Sequence, residues 1–447
     1  MKVNRFLIIT LSTICVLLMF YASGPFDNFS VRVYLTSVII IIISIINVFS
    51  NDKQPFSLYK TFFLFSLFFF GISPLLQFYG GVSQYGARFL KEYEYFYTNL
   101  LIIVILLLYQ LFYNNFYRKK VKDKYKKIIF KYNINKKLNV VQSGLIISLS
   151  IISFLLIFNA NNNSIISMLF RGGELKDLVQ MSSTKSIIIF RFFQPLVMMC
   201  LLYYISSKSK NILVLLILIL LVVITCSPLG MPRFSAAAMY IPLLLLIIPF
   251  IKKKNVFSIV LIFGLLIIFP FLDNFRHFSG NSINFGFNFD MFLVGHFDSY
   301  QSLVLVVSDN IVTWGRQLLG VIFFWLPRSF WPNKPIGSGA FMAEELDLVY
   351  ANISCNYFAE GYINFGFLGI FIFIIALSFV TAKLDKMYWS VSYKNSNNFF
   401  NVIYFVLIGM LIFILRGDLL SSFAYTIGFM LSIWLVKKVA GFSIKRV

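Results

Sequence analysis

Long apolar runs close to the roughly 20 residues needed to cross a bilayer recur from one end of the chain to the other. They predict twelve membrane-spanning helices, near 6–22, 33–50, 56–78, 95–113, 140–158, 187–206, 212–226, 235–250, 256–272, 364–382, 398–415 and 419–436. Runs such as 38–46 or 212–224 do not alternate in polarity, as the strands of a membrane barrel would, so the expected fold is all-α and polytopic. The first run is too long for a cleaved leader and is expected to be kept. The longest polar break falls between spans nine and ten, at 273–361. Within it, 290–309 carries Asp298, Gln301, Ser302 and Asp309 in one helical stripe, which predicts an amphipathic helix on the membrane or along a groove. Pairing with 312–326 as a re-entrant or spanning hairpin would raise the count to fourteen.

Charge orients these helices. Lysine and arginine collect in alternate loops, so by the positive-inside rule both termini are cytoplasmic. The inner side then holds 26 of the 39 basic residues against three of the 17 acids, and the outer side 13 against 14. The net charge of +22 is therefore an orientation signal and an attraction to anionic lipid heads, with no nucleic-acid partner implied. Composition agrees, with 59% hydrophobic and 13% charged residues, and the whole chain, 1–447, reads as a single integral membrane domain. Four cysteines without a Cys-x-x-Cys pair suggest neither a disulfide framework nor a thiolate metal site. Nine of the 13 outer basic residues are Arg, against three of the inner 26. Orientation alone would accept Lys; a planar fork suits phosphate or carboxylate, so the outer face points to an anionic ligand. Arg also snorkels well at interfaces.

Candidate chemistry gathers in 273–361, the large extracytoplasmic region. Arg276 and His277 emerge beside Asp273 at the end of span nine. Three prolines and two glycines in 326–339 exclude a regular helix and present Arg328 and Lys334 beside Trp331. That set offers cations for a phosphate and an aromatic face for a sugar; Trp is equally at home as an interfacial anchor. Glu360, at the mouth of span ten, is a candidate general base, although a Glu at a helix start also serves the helix dipole. Arg191 and Gln194, inside span six near its outer end, are expected to face a bundle interior or an aqueous cavity, as part of a cavity wall.

Arg233 in a short outer loop, Pro-Arg-Ser-Phe-Trp-Pro-Asn-Lys-Pro at 327–335, Ala-Glu-Gly-Tyr-Ile-Asn-Phe-Gly at 359–366 and Leu-Arg-Gly-Asp at 415–418 occur in that order. Together they resemble the oligosaccharide repeat-unit polymerases, the Wzy-type O-antigen and capsule polymerases. The resemblance implies a metal-independent glycosyltransferase of the bacterial inner membrane, without a bound cofactor and with its active site facing the periplasm or exterior. Its substrate would be an undecaprenyl-pyrophosphate-linked oligosaccharide, and membrane lipids and a chain-length regulator protein would be its other partners. Arg328 to Gly339 fits the Arg-x10-Gly spacing found in some members, whereas Arg171 does not. On this reading Arg233, Arg276, Arg328, Lys334 and Arg416 hold pyrophosphate, with Trp331 beside them, while Glu360, or else His277, accepts the proton of the attacking hydroxyl. A ligase-like glycan transferase and a repeat-unit flippase or transporter are the rival functions.

Overall fold

A computed structural model describes residues 28–50, 54–83, 87–119, 137–170, 189–209, 211–231, 233–268, 292–293, 295–351, 353–393 and 399–441. Among them every regular element is helical. The expected span at 6–22, and Arg171, Arg276 and His277, lie outside the described residues.

The first eight helices are α1 (Val31–Val48), α2 (Leu58–Tyr79), α3 (Glu92–Arg118), α4 (Val140–Ala160), α5 (Ile189–Ser206), α6 (Ile212–Thr225), α7 (Arg233–Ile247) and α8 (Val256–Phe263). Through the polar interval run α9 (Ser299–Ser308), α10 (Arg316–Ile322) and α11 (Ser338–Glu345), and the chain ends with α12 (Tyr357–Met387), α13 (Phe400–Arg416) and α14 (Leu419–Ala440). Ile- and Val-rich segments such as α1 would be poor helices in water. In lipid, a spanning segment satisfies its backbone polar groups internally, and the helix does so. Seven described helices are long and apolar enough to span: α1 to α5, α12 and α14. The runs expected at 212–226, 235–250, 256–272 and 398–415 also contain apolar helices, at Ile212–Thr225, Ser235–Ile247, Val256–Leu266 and Phe400–Arg416, each shorter than a span. The protein is an integral membrane protein.

Two main cores organise the helices, and α13, with α7 packed on it, contributes to both. Its Tyr404, Ile408, Leu411 and Leu415 pack with α1, α2, α3, α9 and α12, while Val402, Val406 and Met410 pack with α4 to α7 and α14. Spacings of three and four residues put each set on its own face. Gly409 lets α13 close on α7, where an added Cβ would lie 2.7 Å from the Ala238 Cα; in lipid, close backbone approach supplies the dispersion contacts that hold helices together. Buried polar links add to this, with Asn99 donating to Thr36 Oγ1 at 2.9 Å and accepting from Tyr300 at 2.9 Å.

Two features of the polar interval differ from the pattern read in the sequence. Helix α9 is shorter than expected, and Ser299 to Val306 are all buried, so Gln301 and Ser302 of the polar stripe point into protein rather than along a surface. Their polar groups are paired there: Ser302 Oγ accepts from Asn356 N, Ser299 Oγ donates to Arg416 O, and Gln301 Nε2 donates to Gln77 Oε1 and Val82 O. Helix α12 is broken at Phe365 (φ −149°, ψ 27°) and Gly366 (φ 60°, ψ −146°), leaving a short first helix and a long second one. Carbonyls freed by such a break must find donors. Ile363 O accepts from Thr313 N at 2.6 Å and Thr313 Oγ1 at 3.0 Å, and Asn364 Oδ1 accepts from Leu318 N at the start of α10 at 2.8 Å.

Candidate active site

Ahead of the break, the first part of α12 meets the α13–α14 corner. Asn356 caps α12, accepting from Phe358 N and Ala359 N at 2.9 Å each, and its amide donates to Ser299 O. One turn on, Glu360 is fully buried. Its Oε2 accepts from Ser338 Oγ at 2.7 Å, and its Oε1 accepts from Leu419 N, the first amide of α14, at 2.8 Å. That contact joins the starts of α11, α12 and α14. Each helix start carries partial positive charge, which offsets part of the cost of burying a carboxylate.

Asp418 is the second carboxylate, within electrostatic reach of Glu360. It caps α14 by accepting from Ser421 N at 3.2 Å, and its own N–H donates to Cys355 O at 3.0 Å. Its φ of 43° is uncommon for a residue with a side chain, and such strain persists only where surroundings fix it. The surroundings here are two glycines. Gly417, at φ 140°, lies so close to Cys355 that an added Cβ would be 2.7 Å from its N, and a Cβ on Gly337 would overlap the Asp418 carboxylate. Burial raises the Asp418 carboxyl above its ordinary pKa, while backbone N–H groups of Ser421, Leu420 and Gly339 and the Arg191 charge pull the other way. Arg191, in the π-helical start of α5, reaches Ser421 Oγ at 3.4 Å and stacks on Tyr425 with 5.0 Å to the ring centroid. An added Cβ on Gly428 would overlap the Arg191 carbonyl, so close packing of α5 on α14 fixes this arginine within electrostatic reach of Asp418.

The other expected residues fall into three groups. Arg416 is held just outside the cluster: its guanidinium donates to the Gly295 carbonyl at 3.1 Å and pairs with buried Asp298 at 3.3 Å, and Asp298 also accepts from Ser354 N at 3.0 Å. Arg328 and Lys334 hold their own loop. Arg328 is exposed and donates to Lys334 O at 2.8 Å, while the Lys334 ammonium donates to Phe324 O at 2.6 Å and Leu326 O at 2.9 Å. Burial, and then the Arg328 charge, lower the Lys334 pKa. Trp331 is half-buried at the turn, its backbone N–H donating to Pro327 O at 3.2 Å. This loop runs directly into Gly337, Ser338 and Gly339, the stretch wrapped around Asp418 and Glu360. Of the third group, Arg233 begins α7 but its side chain, like all of Arg276 and His277, lies outside the described residues.

Of the residues singled out in the sequence, Glu360 lies in this buried cluster and Arg191 lies half-buried beside Asp418. Ser338 and Asp418, which the structure brings to Glu360, were not among the sequence candidates. A Gly-Asp pair directly before an apolar run is a helix-cap signal, and it stood in the Leu-Arg-Gly-Asp piece. Among the described residues there is no group of three or more His, Cys, Asp or Glu side chains arranged to hold a metal ion.

Residues 353–441, which contain Glu360, Arg416 and Asp418, match the family model of the O-antigen polysaccharide polymerase Wzy. The match supports a Wzy-type family for the chain. No curated protein and no solved structure matches it. The Wzy-type segment opens just before Asn356 and closes at the end of α14, so it frames the buried acids and the corner that carries them, while Arg191 and Ser338 reach them from outside it.

Proposed function

We propose that the protein polymerises lipid-linked oligosaccharide repeat units, with undecaprenyl pyrophosphate as the carrier, on the outer face of a bacterial inner membrane. The observation that carries this is the pair of acids, Glu360 and Asp418, at converging helix starts in the Wzy-type segment, with Arg191 reaching Asp418 from outside it.

In this reading the acceptor sugar hydroxyl replaces Ser338 Oγ on Glu360 Oε2 and passes its proton to that carboxylate. Its oxygen forms a bond to the anomeric carbon of the donor while the bond from that carbon to the diphosphate breaks. The diphosphate leaves as an anion, and Arg191 and Arg328 meet the charge as it develops. Arg416, tied to Asp298 and the Gly295 carbonyl, fixes the corner from which Asp418 projects. Asp418 supports Glu360 electrostatically and anchors α14 beneath it.

Deleting the gene and analysing surface glycan on a gel tests the function. A polymerase predicts lipid A core bearing a single repeat in a Gram-negative host. Lipid-linked polymer that accumulates unattached would instead indicate a ligase, and units trapped on the cytoplasmic face a flippase.

A further inference from the structure

The 18 residues of α5 run about 27 Å at 1.5 Å per residue, so its far end is well removed from Arg191. There α4, the end of α5 and the start of α6 enclose a groove of about 310 Å³. Leu138, Ile147 and Val214 form apolar walls, and Lys137, Tyr204 and Ser209 line its polar end. That end is rigidly built: Leu138 N donates to Ser209 Oγ at 2.8 Å, and Tyr204 OH donates to Asn211 O at 2.9 Å. Lys137 and Lys208 are exposed at that end, and among the described residues no acidic side chain lines the groove. The positive ends of α4 and α6, capped by Asn139 and Asn211, point the same way.

A site with apolar walls and a cationic mouth fits an amphiphile with a negative head. Val140, which lines the groove, and Ile212 and Leu213, between its lining residues Asn211 and Val214 in the chain, are strongly exposed apolar residues, which a lipid environment would cover and water would not favour. By the charge sorting this is the cytoplasmic end, where anionic lipids concentrate and basic pockets between membrane helices take their head groups. We propose that this groove binds an anionic glycerophospholipid, one acyl chain along Leu138, Ile147 and Val214 and the phosphate at Lys137 and Lys208. The prenyl carrier is the wrong occupant, because the acids and Arg191 lie at the opposite end of α5.

Gly144 provides the test. It lies in the groove, and an added Cβ there would meet no atom within 4 Å, so Gly144→Leu fills the space without disturbing the packing. The full-length protein in zwitterionic detergent would be titrated with phosphatidylglycerol and, separately, with phosphatidylcholine, and binding read by native mass spectrometry. Phosphatidylglycerol is expected to bind the wild type selectively. Gly144→Leu should abolish that binding with an unchanged melting temperature, and Lys137→Ala with Lys208→Ala should weaken it about 25-fold, roughly fivefold for each charge near a head group. Equal binding of phosphatidylcholine, wild-type binding by Gly144→Leu, or displacement of phosphatidylglycerol by a polyprenyl diphosphate would each overturn the proposal.

Discussion

Glu360 and Asp418 make different demands on their neighbours, and single substitutions separate them. Glu360→Gln keeps an oxygen able to accept from Leu419 N but no carboxylate to take a proton. It should stop polymer formation while melting within about 1 kcal/mol of wild type. Glu360→Ala leaves Leu419 N without its side-chain partner and should cost a further 1–3 kcal/mol or so, read as a lower melting temperature in detergent. Asp418 has a pH signature. Because burial raises its pKa, the folded chain keeps that proton to higher pH than the unfolded chain does. Its stabilising contribution is then complete below the ordinary aspartate value of 3.8 and is lost as pH rises through the higher folded value, beside Glu360 and Arg191. Melting temperature should therefore fall as pH rises from about the unfolded value of 3.8 up to the folded value and level off beyond it, and Asp418→Asn should flatten the fall; an equally steep curve in the variant would contradict the assignment.

At the scale of elements, the break in α12 and the carboxylate at its far end set where the helix sits. Gly366 has room for a Cβ but a backbone conformation that L side chains rarely adopt, so Gly366→Ala should destabilise by about 1–3 kcal/mol through strain alone. Near the other end Asp385, fully buried, accepts from Tyr113 OH at 2.7 Å, Tyr404 OH at 2.5 Å, Leu58 N at 2.9 Å and Tyr59 N at 3.1 Å, pinning α2, α3 and α13 to α12. Asp385→Ala strands several buried donors and should cost on the order of 3 kcal/mol or more, visible as loss of folded protein. Helices were legible in the sequence because lipid allows few alternatives to a long apolar run. The break was not, since Asn364-Phe365-Gly366 merges into the apolar pattern and only the contacts of Ile363 and Asn364 with the 313–318 segment make it tolerable. Periodicity found the polar stripe of α9 but could not say that it faces the 354–356 segment, because period fixes a face and not its partner.

For the whole molecule, the sorting of charge and the two cores make separate claims. Charge predicts both termini and the 118–137 loop on the cytoplasmic side, and cysteine labelling from outside should spare all three. The cores explain why the site lies where it does: α13 is common to both, so its C-terminal corner is where helices of one core meet those of the other, and Glu360 from one and Arg191 from the other converge on α14. Glu360 was legible because a carboxylate at a span's mouth is conspicuous in so apolar a chain; Asp418 and Ser338 depend on long-range contacts that spacing does not encode. The most direct measurement is the surface-glycan ladder from a deletion strain carrying Glu360→Gln at wild-type protein level. The site described here predicts collapse of the ladder to a single repeat, and a wild-type ladder would contradict it.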